Sequence, residues 1–515
     1  MSDERPEAPA EGLDPAEAER VVEFLEAIVE DRGVLADLDT DLIRRLMTAA
    51  GRASRPTKHE QKKLHREYRR RRRDARRAKD EALLDATGIR EKRREQVFQT
   101  PDQHEKVDPG DVSEWPKLIE ERCCYICKAS FDRLHHFYDQ LCPSCATKNY
   151  EKRFQTADLD GRVALLTGGR VKIGYQAGVM LLRAGAHLIV TTRFPADAAR
   201  RYASEKDHED WIDRLEIHGL DLRHTPSVEA FAAHVLETHA RLDFIVHNAC
   251  QTVRRPTGWY GHLMPGERAP VAKLPAAQQK ALASHTERIR ELQASLGEPD
   301  AALTAGKDAK GTMTWADAPA LSQLVLLEED LHAGEALFPE GKLDQDLQQI
   351  DLRDSNSWRM TLAEVPTVEL LEVLLVNATA PFVLNARLKP LMLRVPTRDK
   401  HIVNVSAMEG QFYRSQKTDK HPHTNMAKAA LNMMTRTSAV EYAEDGIHMN
   451  SVDTGWVTDE DAHVIAERKR EIHRFHPPLD IVDGAARILD PIFHGINTGE
   501  HLFGLFLKDY VATRW

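Results

Sequence analysis

Apolar positions along this 515-residue chain follow two rhythms. Between Pro15 and Met47, Val21, Val22, Leu25, Ile28 and Val29, then Leu35, Leu38, Leu42, Ile43 and Leu46, recur at helical spacing around Gly33, which predicts a pair of short helices. From about residue 159 short apolar runs alternate with helical stretches: RVALLTGG, HLIVTTR, IHGLDLR, LDFIVHNA and HIVNVS, with a helix running through Leu182 and another helical stretch around Trp211. Such alternation predicts a parallel sheet covered on both faces. Residues 251–365 interrupt it and are far longer than an ordinary connection. Their middle, LPAAQQKALASHTERIRELQASLG, is helical in pattern and their flanks are rich in Pro, Gly, Asp and Glu, so a helical excursion is expected. Alternation resumes with VELLEVLLVNATAPFVLNARL and runs to the strand-like HLFGLFLKDY; no solenoid-length repeat is visible.

Charge divides the chain further. The formal net charge is −10, yet residues 55–95 are strongly basic, with five successive arginines from Arg69 to Arg73. This stretch has helix-forming composition and almost no apolar face, so it should be an exposed helix or become one on a partner. Nucleic acid is a conceivable partner through 55–95, but without interleaved aromatics to stack on bases it is not the favoured one. The length suits about three or four domain-sized pieces. The expected division is a disordered 1–14, a helical region 15–100, a cysteine module 101–155 and an α/β domain 156–515 carrying the insertion 251–365. The first twenty residues are acidic and rich in Pro and Ala, and no run of 18 apolar residues occurs, so neither a signal peptide nor a membrane span is expected and the cytoplasm is the default.

Four of the six cysteines form two close pairs, Cys124-x-x-Cys127 and Cys142-x-x-Cys145, fourteen residues apart. Paired knuckles of this kind can present four thiolates tetrahedrally to a structural zinc, and the stretch resembles zinc-ribbon or half-RING arrangements. Redox-active dithiols are the alternative, although such motifs rarely come doubled. Cys123 is left over, and His135 and His136 are expected to be exposed.

The first strand of the α/β region runs into TGGRVKIG. Gly168 and Gly174 suit a tight turn that brings backbone close to a pyrophosphate at a helix N-terminus, and Lys172 and Ile173 lie between them. With Asn248 and Ala249 in HNAC, Ser406 ending HIVNVS, Asn377 in LLVNATAPF, Lys428 in TNMAKAALNMM and Gly455, Val457 and Thr458 in NSVDTGWVTDE, the chain from about Leu159 to Tyr510 resembles the short-chain dehydrogenase/reductase family. The resemblance implies a Rossmann-type, doubly wound α/β fold, a nicotinamide dinucleotide cofactor, a carbonyl or alcohol substrate, and a homodimer built on the helices bearing Asn377 and Lys428. It implies roles as well: Gly168, Lys172, Ile173, Gly174, Asn248, Lys428 and Gly455 would bind the cofactor, Asp221 would contact adenine, and Asn377 would hold a water on Lys428. Arg193 follows the second strand where NAD-preferring members carry an acid; a guanidinium there favours a 2′-phosphate, hence NADP over NAD, unless Arg193 is a solvated strand-end charge. Asp221 reads equally as a turn residue.

The chain departs from the family pattern around the reacting groups. Lys172 replaces a glycine, where its side chain either crowds the phosphates or pairs with them. Cys250 replaces another, and reads as a buried small residue rather than a nucleophile. Thr454 stands for a proline. Thr424 occupies the position of the catalytic tyrosine, and its hydroxyl is far less acidic than a phenol. Tyr413, seven residues after Ser406, is the first choice of substitute acid, acting with Ser406 and Lys428 from a loop; His421 and His423 are the others. Three readings follow: an atypical NADP(H)-dependent oxidoreductase, an NADP(H)-binding scaffold or sensor without turnover, and, least favoured, a nucleic-acid-associated protein.

Overall fold

The computed structural model describes residues 14–94, 105–296, 317–331, 337–344, 346–413, 417–458, 460–465, 467–468 and 476–515. The N-terminal stretch expected to be disordered lies, up to residue 13, outside them. The chain divides into two compact units, 1–79 and 80–515.

The first unit is helical. α1 (Pro15–Glu30) starts on Asp14, whose carboxylate accepts from the Ala16 amide, with Pro15 in the first turn. α2 (Thr40–Ser54) is capped by Asp39, which accepts from Asp41 and Leu42. α3 (Lys58–Asp85) carries the arginine run on an almost wholly exposed surface and continues into the second unit, where Asp80 accepts from the Ile119 and Glu120 amides.

The second unit opens with the cysteine module: a hairpin of β1 (Lys117–Cys123) and β2 (Ser130–Arg133), then α4 (Pro143–Arg153). The module is not a separate body. Its Phe131, Phe137, Tyr138 and Tyr150 share one core with Val457, Leu479, Ile481 and Val482, which belong to the distant end of the chain. Tyr138 donates to Asp483 within that core, and Arg153 pairs with Asp480 and Asp483 at 2.7 and 3.0 Å. The sharing of this core explains why two units form rather than three or four. His135, expected to be exposed, is fully buried among Trp115, Tyr138 and Tyr150, and that burial, aided by His136, holds its pKa down at about 3.

The α/β part is an eight-stranded sheet in the order β10-β9-β8-β7-β6-β3-β4-β5. Its strands are β3 (Val163–Thr167), β4 (His187–Thr192), β5 (Leu215–Gly219), β6 (Phe244–His247), β7 (Lys400–Ser406), β8 (Ile447–Asp453), β9 (Phe506–Lys508) and β10 (Val511–Thr513). All pairings are parallel except β9 with β10. β3, β4, β6 and β7 carry apolar runs because helices bury both faces, while β5 and β8 mix apolar with polar residues. One face receives α5 (Lys172–Arg183) and α11 (Ile481–Thr498); the other receives α6 (Thr225–Thr238), α8 (Thr367–Leu374), α9 (Ala380–Leu393) and α10 (Pro422–Glu444). The stretch Thr367–Leu393 is long and apolar enough to cross a membrane by length and composition, but its Leu384, Leu388 and Leu391 pack in the core with Val228, Phe231 and Val235 of α6. Within the insertion, α7 (Ala283–Leu296) lies along β5 and covers that sheet edge.

Candidate functional site

Strand order reverses direction between β3 and β6, and a crevice at the carboxyl ends of the strands opens there, where doubly wound sheets bind ligands. It is a cavity of about 1350 Å³ lined from the β3–α5 turn to the β8 loop. Gly168 has φ +72°, and a Cβ at Gly174 would come within 2.2 Å of both Asn248 Nδ2 and Gly168 O. Only glycine allows that close approach. Asn248 donates to Gly168 O at 3.0 Å and so fixes the turn.

The following helix, α5, has Val171 at its N-cap and no side-chain cap. Its first turn, Lys172 to Gly174, therefore presents backbone N–H groups to the cavity, as a pyrophosphate requires. Lys172 adopts φ +54°, the left-handed conformation a glycine would take without strain. Its ammonium lies 3.9 Å from Glu460; burial opposes its charge, but Glu460, Asp346 and Asp344 together hold its pKa above the ordinary lysine value.

At the adenine end both candidate residues already have protein partners. Asp221 is buried, and its carboxylate is gripped by Arg223 through bonds of 3.0 and 2.7 Å; burial opposes the charge but Arg223 outweighs it and lowers the pKa. It lines the cavity with its orientation fixed by Arg223. Arg193 lines the cavity, but its guanidinium donates to the Tyr260 hydroxyl at 2.6 Å and stacks over that ring, so the insertion already holds it.

At the other end Ser406 and Lys428 meet. Ser406 donates to Asn432 Oδ1 at 2.6 Å, and Lys428 Nζ donates to Val405 O at 2.7 Å. Gly410 lets α10 press this close, since a Cβ there would meet the Lys428 carbonyl carbon at 2.8 Å. Gly455, with φ +74°, carries the facing loop. Asn377 sits in a π-helical turn, Leu375–Thr379, where its side chain accepts from the Gln251 amide and donates to the Gln251 carbonyl. Both bonds are to the insertion's first residue.

Three further expectations are corrected. Tyr413 does not join Lys428: it is 45% exposed and its hydroxyl faces Thr513 at 3.4 Å, outside the cavity lining, because its loop runs toward the C-terminal strand. Cys250 is exposed to the cavity instead of packed in the sheet, because β6 ends at His247, three residues earlier. His423 is buried against Glu369, whereas His421 lines the same cavity as Ser406 and Lys428. The insertion fixes His421: Trp358 stacks on its ring at 3.9 Å between centroids and Met360 O accepts from its amide. Thr424 is 4% exposed, and its hydroxyl has no hydrogen-bond partner among the described residues.

Sequence reasoning missed four contributors. Asn432 stands one turn after Lys428, a signal that was present. Asp453 lines the cavity at the end of β8, opposite Ser406 in register, and burial lifts its pKa to about 6. Trp358 belongs to the insertion and Tyr125 to the cysteine module, and neither carries a local signal for this site.

The four module cysteines converge as well. Their Sγ atoms all lie within 4.8 Å of one another, and Cys127 and Cys142 are 3.5 Å apart. Thiolates at about 2.3 Å from a tetrahedral zinc are separated by roughly 3.8 Å, so the donor set fits that ion.

Two family models match the chain: short chain dehydrogenase over residues 162–259, and enoyl-(acyl carrier protein) reductase over residues 342–479. Between them, residues 260–341 of the insertion are unmatched. An uncharacterised protein of Acanthamoeba polyphaga mimivirus is 27% identical over 405 residues, covering 76% of each chain. Dehydrogenase/reductase SDR family member 13 of Bos taurus is 33% identical over 104 residues, which are 19% of this chain and 27% of that protein. Among solved structures, the Pseudomonas aeruginosa RhlG/NADP active-site complex aligns with 16% identity and a TM-score of 0.40, over 68% of this chain and 95% of that one. A Burkholderia cenocepacia short chain dehydrogenase in complex with NADP gives the same identity and TM-score, over 68% and 97%. The two family matches support the short-chain dehydrogenase/reductase family for the α/β part.

Proposed function

We propose, from the short-chain dehydrogenase/reductase kinship of the α/β part, that the protein is an NADP(H)-dependent oxidoreductase acting on a carbonyl or alcohol. One observation carries the reading: an uncapped helix N-terminus behind a glycine turn and a serine–lysine pair line the same cavity at the switch point of the sheet. Gly168, Lys172, Ile173 and Gly174 would hold the pyrophosphate, Arg193 a 2′-phosphate, and Lys428 a ribose hydroxyl. The dinucleotide, when bound, supplies or accepts the hydride. Ser406 would donate a hydrogen bond to the substrate oxygen in place of Asn432. His421, held by Trp358, is the residue best placed to exchange the proton, since Tyr413 lies outside the cavity. Four cysteines, Cys124, Cys127, Cys142 and Cys145, would bind a structural zinc. Phe382, Met426, Met433 and Val440, exposed on α9 and α10, suit a homodimer contact.

The buried, unpartnered Thr424 favours a second reading, an NADP(H)-binding scaffold without turnover. Stopped-flow oxidation of bound NADPH across a panel of carbonyls separates them. Turnover that falls about 100-fold or more in His421→Asn and Lys428→Ala, and is unchanged in Tyr413→Phe, supports the oxidoreductase. Tight NADPH binding with no turnover on any carbonyl replaces it with the scaffold.

A further inference from the structure

At the opposite end of the strands from the dinucleotide cavity, three side chains converge on one point. His187 opens β4, Glu216 is the second residue of β5, and His239 follows α6 as its C-cap. In register Glu216 lies opposite Ile189, so its side chain shares a sheet face with that of His187, two residues back along β4. The end of α6 brings His239 to the same face. His187 Nε2 stands 2.7 Å and His239 Nε2 3.2 Å from the same atom, Glu216 Oε1. The donor atoms of the three residues all lie within 4.8 Å of one another, and the two imidazole planes meet at 61°.

Hydrogen bonding behind His239 fixes its tautomer. The Thr238 hydroxyl donates to His234 O at 2.8 Å. Its oxygen is then the acceptor for His239 Nδ1, 2.9 Å away, so Nδ1 carries the proton. A neutral His239 consequently aims the lone pair of Nε2 at a carboxylate oxygen, a repulsion that either a proton on Nε2 or a cation between the two atoms relieves. Orientation of a ligating imidazole by a hydrogen bond to its other nitrogen is the usual support of a metal ligand. The surroundings leave room for the ion and for one more ligand: a pocket of about 390 Å³, lined also by Thr238 and Ser284, opens directly on the cluster. His218 Nε2, 3.5 Å from Glu216 Oε2, steadies the carboxylate's second oxygen. Arg394 caps the His239 carbonyl at 2.6 Å, which ties the loop in place without touching the imidazole nitrogens.

We propose that His187, Glu216 and His239 form a divalent-metal site, distinct from the four-cysteine cluster and from the dinucleotide cavity. Two neutral imidazoles and one carboxylate with a fourth position open suit zinc, with copper and nickel as competitors for the same donors. Five residues of β4, roughly 17 Å of extended chain, separate His187 from Thr192 in the dinucleotide cavity, so the ion takes no part in chemistry there. Its position instead pins together the starts of two strands and the end of α6.

Metal analysis of the full chain after equilibrium dialysis against micromolar zinc tests this. The expected result is one more equivalent in the parent protein than in His187→Ala/His239→Ala, and a zinc-dependent rise in Tm that the double variant lacks. Thr238→Val keeps all three ligands but removes the support of His239, and should weaken zinc binding at this site by about 10–100-fold. Circular dichroism of each variant reports whether it is folded, and Glu216→Gln provides a second, near-isosteric removal of a ligand. Equal zinc content and equal Tm response in the parent and all folded variants would overturn the proposal, leaving two histidines hydrogen-bonded to a glutamate.

Discussion

The Tyr125 hydroxyl accepts a hydrogen bond from the Trp456 amide at 3.0 Å. Tyr125 lies between two cysteines of the first knuckle, and Trp456 follows Gly455 in the loop at the Ser406 end of the cavity. The cysteine module therefore lines the cavity proposed for the dinucleotide and pins its loop. Tyr125→Phe removes the acceptor while keeping the ring. Since Trp456 is exposed and water can replace the bond, stability should fall by only about 0.5–1 kcal/mol. NADPH affinity should drop several-fold, read by fluorescence titration.

Removal of the zinc proposed for the cysteine cluster should be felt throughout the α/β unit, because Phe131, Phe137 and Tyr138 pack in the core that also holds Leu479, Ile481 and Val482. Paired Cys124→Ser and Cys142→Ser replacement should remove one equivalent of zinc. Thermal unfolding of residues 80–515 should shift down as one transition. A separate low-temperature step with the main transition unmoved would mean that the module melts alone.

NADPH should bind at least about tenfold more tightly than NADH, the worth of a charged hydrogen-bonded contact to the 2′-phosphate. Arg193→Ala should erase that preference and leave NADH affinity almost unchanged. The bond from Arg193 to the Tyr260 hydroxyl adds a refinement. Tyr260→Phe releases the guanidinium and should preserve the preference, so calorimetry on the two variants separates the charge from its support.

Asp453 makes stability depend on pH. Burial raises its pKa to about 6, above the unfolded value near 3.9, so the native state holds the proton more tightly. Its contribution is fully present below about pH 4 and is lost as pH rises through 6. Asp453→Asn should therefore flatten the stability profile between pH 4 and 7, raising stability at pH 7 by at most about 3 kcal/mol; urea melts at several pH values measure this. The Gly455 amide bond to Asp453, at 3.0 Å, can be kept by the Asn oxygen.

The sequence by itself determined the elements and the order in which they meet. Apolar runs mark β3, β4, β6 and β7 because each is buried on both faces, whereas β8 mixes polar with apolar residues and carries no such signal; Gly168 and Gly174 are legible because backbone that turns or approaches so closely excludes a side chain. The cysteine pairs are legible for a similar reason: four ligands to one ion impose local spacing. What only the tertiary structure decided are relations between segments far apart in the chain. Tyr413 and His421 looked alike as loop residues near Lys428; Trp358, more than sixty residues earlier, holds one in the cavity, while Thr513, one hundred residues later, faces the other outside it. Asp221 reads as a strand-end carboxylate until Arg223, itself held by Glu372, pairs with it, and Cys250 as a sheet residue until the strand is seen to stop at His247. Burial, partner and charge state are set by what the folded chain brings alongside, and local composition carries no record of that.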